Sequence, residues 1–89
     1  MATRKLKIIN ELGMHARAAA EFSRLASKFA SAVFVSREDM EINGKSIMGV
    51  LMLAAFRGST ITVRAEGEDA EEALDALETL VGNRFGEEK

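Results

Sequence analysis

Residues 59–83 read STITVRAEGEDAEEALDALETLVGN, and the spacing of their apolar residues changes partway along. Over 59–65 polar and apolar residues alternate, which predicts a strand with Ile61 and Val63 facing inward. Over 69–83 the apolar residues recur every three or four positions, which predicts a helix with one apolar stripe. The acidic residues in the first turn of that helix are favoured by the helix dipole. The segment therefore predicts a strand followed by a helix, each with a single apolar face.

The rest of the chain consists of similar short elements. Further strands are predicted over 4–9, 31–37 and 39–43, and further helices over 16–29 and 46–54. The resulting order is β-α-β-β-α-β-α. Strands with one apolar face are typical of an antiparallel sheet that is covered by helices on one side only. We therefore expect one α+β domain over residues 1–89, in two layers.

Length and composition narrow the class of protein. A chain of 89 residues is long enough for one small domain, and the absence of cysteine excludes disulfides and thiolate chemistry. The net charge of −2 argues against a nucleic-acid partner, because such partners usually meet a basic surface. No apolar run approaches the ~20 residues that span a bilayer. We therefore expect no membrane partner and a cytoplasmic location.

The only histidine of the chain lies in the segment Gly13-Met14-His15-Ala16-Arg17, between a glycine turn and a predicted helix. The first N–H groups of a helix have no intrahelical partner and favour an anion such as phosphate. Arg17 offers a guanidinium fork for phosphoryl oxygens. An imidazole at this position can therefore take up a phosphoryl group, and imidazole also releases one readily. The same residues are also consistent with a surface histidine that only caps a helix.

A second motif, Asn43-Gly44-Lys45-Ser46, precedes the helix predicted over 46–54. The Ser46 hydroxyl can cap a free N–H group of that helix, which typically stabilises a protein by about 0.5–2 kcal/mol. The other interpretation is a phosphorylation site, because a helix N-terminus tolerates a dianion. A nucleotide-binding P-loop is excluded, because the position where that motif needs its first glycine holds Asp39.

The helix after Ser46 is apolar nearly all round. A short helix cannot bury every side, so some of its large apolar residues should be exposed: Ile47, Met48, Leu51 and Met52. An exposed apolar surface that contains methionine suits binding to several partners. The alternative is that all four residues belong to the core.

Together these motifs resemble the HPr family of the phosphoenolpyruvate-dependent sugar phosphotransferase system (PTS). The resemblance covers Lys5 to Phe85 and rests on three blocks at the spacing of the family: residues 13–20, 43–50 and 58–63. It implies an open-faced β-sandwich, in which a four-stranded antiparallel sheet carries three helices on one face.

The resemblance also implies a stoichiometric phosphocarrier rather than a true catalyst, with no cofactor or metal. His15 would accept a phosphoryl group from phosphorylated Enzyme I, with help from Arg17, and pass it to the IIA component of sugar permeases. Ser46 matches the position that HPr kinase/phosphorylase modifies in lineages that have that enzyme. A carrier that presents one face to successive partners is expected to be a monomer. Four positions match the partner-docking face of the family: Arg24, Ile47, Met48 and Leu51.

The chain departs from the family at three positions. The family usually has proline at the position of Ala18, and often has serine at Met52 and glycine at Ala54. Alanine is a good helix residue and leaves His15 and Arg17 in register, so we expect a changed helix entry and no loss of function.

Two other functions stay open at this point. One is a regulatory carrier, of the nitrogen type or of an incomplete PTS, that serves signalling rather than sugar uptake. The other is a plain binding module in which His15 is only a cap. A permease gene beside this one would favour sugar uptake.

Overall fold

The computed structural model describes residues 2–89. Its strands are β1 (Ala2–Lys7), β2 (Ala32–Arg37), β3 (Met40–Asn43) and β4 (Thr60–Glu66). Its helices are α1 (Ala16–Ala26), α2 (Ile47–Met52) and α3 (Ala70–Gly82), and a 3-10 turn over Arg84–Gly86 follows α3. The expected order of strands and helices is therefore present. The domain predicted over 1–89 begins at Met1, which lies outside the described residues.

The four strands form one antiparallel sheet in the order β1-β4-β2-β3. In this sheet β4 lies between β1 and β2, so that Ile61 pairs with Leu6 and Val63 with Val35. All three helices pack on the face to which these apolar residues point. The fold is thus the expected α+β open-faced sandwich.

The core lies between the sheet and the helices. Ile61 and Val63 of β4 are buried as predicted, and so is the predicted apolar stripe of α3 except for Leu80, which is only partly buried. The large side chains that are fully buried come from every layer and include Ile8, Phe22, Val33, Val35, Val50, Ile61, Val63, Leu74 and Leu77.

Several elements end earlier than predicted. Helix α1 stops at Ala26 rather than at residue 29, and its last turn tightens, since the N–H groups of Lys28 and Phe29 bond three residues back. Strand β1 ends at Lys7 rather than at residue 9. Ile8 nevertheless continues the pairing beyond it, because its N–H donates to the Ser59 carbonyl at 2.8 Å.

Asp69 connects the start of α3 to the entry of β2. Its carboxylate accepts hydrogen bonds from the backbone N–H groups of Ala30 and Ser31, each at 2.8 Å, and from the Ser31 hydroxyl. It makes no side-chain cap bond to its own helix. The role of Asp69 is therefore a tertiary link, in addition to the dipole interaction expected from the sequence.

Across the part of the chain that the structure describes, no helix combines the length and the apolar character needed to cross a membrane.

Candidate functional site

His15 occupies the N-cap position of α1, in an extended backbone conformation. Its carbonyl accepts the first helical hydrogen bond, from the N–H of Ala19 at 2.8 Å, but its side chain makes no cap bond. The imidazole is therefore held by contacts outside the helix. This is against the interpretation in which His15 serves only as a cap.

The turn before His15 is positioned by Gly13. Its φ of +68° lies in the left-handed region, and a Cβ atom there would lie 2.8 Å from the Ala55 carbonyl oxygen and 2.9 Å from the Phe56 Cα. Glycine is therefore needed both for the conformation and for the close approach. The next N–H, that of Met14, donates to the same Ala55 carbonyl at 2.8 Å. These contacts fix the backbone that carries the imidazole.

The acidic residue Glu87 joins the two residues predicted to handle phosphate. Its Oε2 atom contacts His15 Nε2 and accepts a hydrogen bond from Arg17 Nη2 at 2.6 Å. Its Oε1 atom accepts from Asn10 Nδ2 at 2.9 Å. The structure thus brings His15 and Arg17 together on one carboxylate. Neither Asn10 nor Glu87 was expected at this site from the sequence.

The C-terminal segment reaches the site through an unusual backbone turn. Arg84, Phe85 and Gly86 have φ values of 55°, 55° and 82°, all in the left-handed region. Non-glycine residues adopt this region at a cost of roughly 1–2 kcal/mol each. Phe85 offsets that cost in part, since its side chain is buried in the core. The turn reverses the chain after α3 and carries Glu87 back to His15.

The surroundings of Glu87 favour the ionised form of its carboxyl group. Partial burial opposes ionisation of Glu87, but hydrogen bonds from Asn10, His15 and Arg17 outweigh it and lower the pKa of this carboxyl below its ordinary value. The guanidinium of Arg17 remains about half exposed and also donates to the Phe85 carbonyl at 3.3 Å. The imidazole of His15 and the guanidinium of Arg17 are therefore both arranged around one anionic oxygen, Oε2 of Glu87.

Ala18 lies fully buried in the first turn of α1. Because α1 begins at Ala16, His15 and Arg17 keep the register expected from the sequence. Among residues 2–89, no group of three or more His, Asp or Glu side chains is placed to hold a metal ion.

Ser46 is the N-cap of α2, and its hydroxyl accepts a hydrogen bond from the N–H of Gly49 at 3.1 Å. The predicted capping role is therefore confirmed. The Ser46 side chain is partly exposed and directly precedes the exposed residues Ile47 and Met48.

Helix α2 exposes large apolar side chains. Met48 is 70% exposed and Ile47 46% exposed, whereas Leu51 is half-buried and packs against the core. The alternative in which the whole helix belongs to the core is therefore wrong. Met52 is exposed as well. We call Ile47, Met48 and Met52 the α2 surface.

Arg24 lies on α1 and pairs with Glu21 at 3.0 Å. Together with Ile47 and Lys45 it lines a shallow groove between α1 and α2. The structure therefore brings Arg24 next to one residue of the α2 surface. Two further exposed apolar residues, Leu12 and Phe56, were not predicted from the sequence to belong to a binding surface.

Comparison with known proteins gives matches along most of the chain. The family model described as "PTS HPr component phosphorylation site" matches residues 2–83. The phosphocarrier protein HPr of Cupriavidus necator is 53% identical over 87 residues, which cover 98% of each chain. The phosphocarrier protein HPr of Neisseria meningitidis is 47% identical over 87 residues, again with 98% of each chain covered.

Solved structures agree with these matches. The crystal structure of HPr-C-His from Thermoanaerobacter tengcongensis superposes with a TM-score of 0.96 at 43% identity, over 100% of both chains. The crystal structure of an HPr dimer from the same organism gives a TM-score of 0.79 at 42% identity, over 98% of this chain and 100% of that one.

Proposed function

This chain belongs to the HPr family of PTS phosphocarriers, and we propose that it accepts a phosphoryl group on His15 from phosphorylated Enzyme I and passes it to the IIA component of a sugar permease. The observation that carries this proposal is the imidazole of His15 at the N-terminus of α1, beside the guanidinium of Arg17 and without a capping role. We further propose that the protein acts in the cytoplasm, as a monomer.

The chemistry needs a nucleophile and positive groups around the transferred oxygens. A ring nitrogen of His15 attacks phosphorus, and the electron pair of the bond that breaks stays with the donor. Arg17 and the N–H groups at the start of α1 stabilise the phosphoryl oxygens. The resulting bond from phosphorus to nitrogen breaks readily, since imidazole is a good leaving group, and this suits onward transfer.

Intact-mass measurement tests the proposal directly. After incubation with phosphoenolpyruvate and an Enzyme I, we expect one added phosphoryl group that is acid-labile, alkali-stable and absent in His15→Ala. Addition of a cognate IIA protein should then remove it within minutes, while the carrier alone holds it far longer. No added phosphate, with an Enzyme I that charges a control carrier, would contradict the proposal.

We assign partner docking to the α2 surface, with Arg24 and Leu51 beside it. An exposed apolar patch of this kind is typical of protein-binding sites. Met48→Glu places a charge at its most exposed side chain, so we expect weaker binding of Enzyme I with little change in stability. Thr79→Glu is the control, because it adds the same charge at an exposed position of α3, away from the α2 surface. Equal loss of binding in both variants would argue against docking through α2.

We propose that Ser46 is the target of an HPr kinase/phosphorylase in a host that has this enzyme. A phosphate on Ser46 would add negative charge directly before Ile47 and Met48, and so weaken docking of Enzyme I. Ser46→Asp should therefore slow phosphorylation of His15, whereas Thr79→Asp, which adds the same charge on α3, should not. Equal rates for Ser46→Asp and the wild type would rule out this form of regulation.

The monomeric state is tested by sedimentation across a range of protein concentrations. One of the matched relatives crystallised as a dimer, so the measurement should extend to high concentration. A constant mass of one chain supports the proposal, and a concentration-dependent dimer contradicts it.

A further inference from the structure

Helix α3 carries a second row of residues beside the stripe that it buries in the core. The row repeats at the helical spacing of three and four positions, so its members share one side of the helix: Glu72, Asp75, Ala76, Thr79, Leu80 and Asn83. Together with Leu25 of α1, this row lines an open groove of about 620 Å³ between the two helices. We call it the α1–α3 groove.

The floor of the α1–α3 groove is apolar. Leu25 and Leu80 are only partly buried, so each packs against the core on one side and remains accessible from the groove on the other. Ala76 is small and partly exposed, which leaves room between the two leucines. Accessible apolar residues that line a groove between polar rims are typical of a site that receives the apolar side chains of a partner.

The rim of the groove is acidic. Glu72 is exposed and, among residues 2–89, forms no ion pair. Asp75 is paired with Arg4 at 2.6 Å, but the same guanidinium also serves two further carboxylates of α3, those of Glu71 and Glu78. Within the described part of the chain, no lysine or arginine lines the groove. The negative charge of this side of α3 is therefore only partly compensated, and it favours a cationic partner.

We propose that the α1–α3 groove is a docking site for a basic amphipathic helix of a partner protein, separate from the surface that serves phosphoryl transfer. The row from Glu72 to Asn83 is about 16 Å long, which corresponds to three turns of a helix. Apolar side chains on one face of the partner helix pack onto Leu25 and Leu80, and its flanking lysines or arginines meet Glu72 and Asp75. A second copy of this chain does not suit the groove, because the same acidic rims would face each other.

Helix α1 separates this groove from the α2 surface. Arg24, the neighbour of Leu25 on α1, lines the groove on the other side of the helix, beside Ile47. Neither His15 nor Arg17 lines the α1–α3 groove. A partner helix bound there consequently leaves the phosphoryl site and the α2 surface accessible, so the protein can be charged by Enzyme I while that partner is bound.

NMR of the 15N-labelled protein tests the docking site. The probe is a synthetic, helix-constrained peptide of about three turns, with leucines along one face and lysines on both flanks of that face. We expect saturable shifts centred on Leu25 and residues 72–83. A constrained peptide of the same composition, scrambled so that leucines and lysines no longer occupy separate faces, should bind at least about tenfold more weakly. Absence of saturable shifts up to about 1 mM peptide, equal binding of the scrambled peptide, or shifts centred on the α2 surface would overturn the proposal.

Two charge reversals separate binding at the groove from a general effect of net charge. Glu72→Lys changes an exposed rim residue that has no ion pair among residues 2–89, so the fold should be retained. It should weaken binding of the amphipathic peptide about tenfold, because an attraction becomes a repulsion. Asp39→Lys is the matched control, with the same change of charge at an exposed residue between β2 and β3, and it should stay within about twofold of the wild type. Equal weakening in both variants would refute docking in the groove.

The rate of phosphorylation by Enzyme I tests whether the two surfaces are independent. With the amphipathic peptide at saturation, we expect the protein to be charged at the same rate as without it. A rate that falls in proportion to peptide occupancy would overturn the separation of the two surfaces. If the protein is not charged even without peptide, the proposed phosphocarrier function fails, whereas the shifts and the two charge reversals still decide whether the groove binds the peptide.

Discussion

Nδ2 of Asn10 donates a hydrogen bond to Oε1 of Glu87 at 2.9 Å, and the two residues lie 77 positions apart in the sequence. The same Nδ2 donates to the Gly13 carbonyl, also at 2.9 Å. One buried amide therefore connects the turn before His15 with the C-terminal segment. The site depends on this connection, because Glu87 is the group on which His15 and Arg17 converge.

Asn10→Ala should destabilise the protein and loosen its C-terminal segment. The substitution leaves the Gly13 carbonyl and the Glu87 carboxylate without this donor, so we expect the free energy of unfolding to fall by about 1–3 kcal/mol. Urea unfolding measures the loss, and backbone 15N relaxation should show increased motion over residues 84–89. Asn83→Ala, at an exposed asparagine after α3, is the control. An unchanged stability in Asn10→Ala would contradict this account.

Ala54→Gly should stabilise the protein. Ala54 follows the C-terminus of α2 with a φ of +50°, a conformation that favours glycine. It is also the position where the resemblance to the HPr family led us to expect glycine. We expect the free energy of unfolding to rise by about 1 kcal/mol. In contrast, Ala20→Gly within α1 should lower it by a similar amount, about 1 kcal/mol. A loss of stability in Ala54→Gly would show that its backbone is unstrained.

Substitution by alanine should have opposite effects on stability at Gly67 and at Gly82. At Gly67, with a φ of +149°, a new Cβ would lie 2.7 Å from the Ser31 Cα, whereas at Gly82 nothing lies within 4 Å. Gly67→Ala should therefore cost more than about 1 kcal/mol through strain and displacement of β2. Gly82→Ala, at the last residue of α3, should be neutral or stabilise by up to about 1 kcal/mol. Thermal unfolding of both variants checks the contrast, and equal melting temperatures would refute it.

The link through Asp69 should make stability depend on pH. The Ser31 hydroxyl, followed by the Ala30 N–H, lowers the pKa of Asp69 below its ordinary value of 3.8. A carboxyl group whose pKa is lower in the folded state than in the unfolded state stabilises the fold at pH values above the unfolded-state pKa. This contribution is lost as the pH falls through the folded-state pKa. The difference in urea midpoint between wild type and Asp69→Asn should thus be largest at neutral pH and shrink below pH 3.8.

The adjacent exposed carboxylate provides the control for this titration. Glu68→Gln removes the same charge without the contacts to Ala30 and Ser31. At neutral pH, the urea midpoint of Glu68→Gln should differ less from that of the wild type than the midpoint of Asp69→Asn does. A difference for Asp69→Asn that stays constant from pH 7 to pH 3 would contradict the linkage.

Most of the architecture could be predicted because it depends on local patterns. The alternation in β4, the stripe of α3 and the cap at Ser46 all arise between residues a few positions apart, where side-chain spacing reports burial directly. The same holds for His15 and Arg17, which share the first turn of α1. The ends of α1 and β1 were less accurately predicted, because a tightened last turn and pairing beyond a strand leave little trace in the apolar pattern.

The amino-acid sequence alone was sufficient for the element order, the α+β layers and the placement of His15 at a helix start, since each rests on short-range periodicity and capping. The tertiary structure alone revealed that β4 lies inside the sheet and that Glu87 contacts His15 across 72 positions. That contact requires three successive left-handed residues, two of them not glycine, and the burial of Phe85. Such a conformation is stabilised by packing against the finished core and has no counterpart in the local sequence pattern.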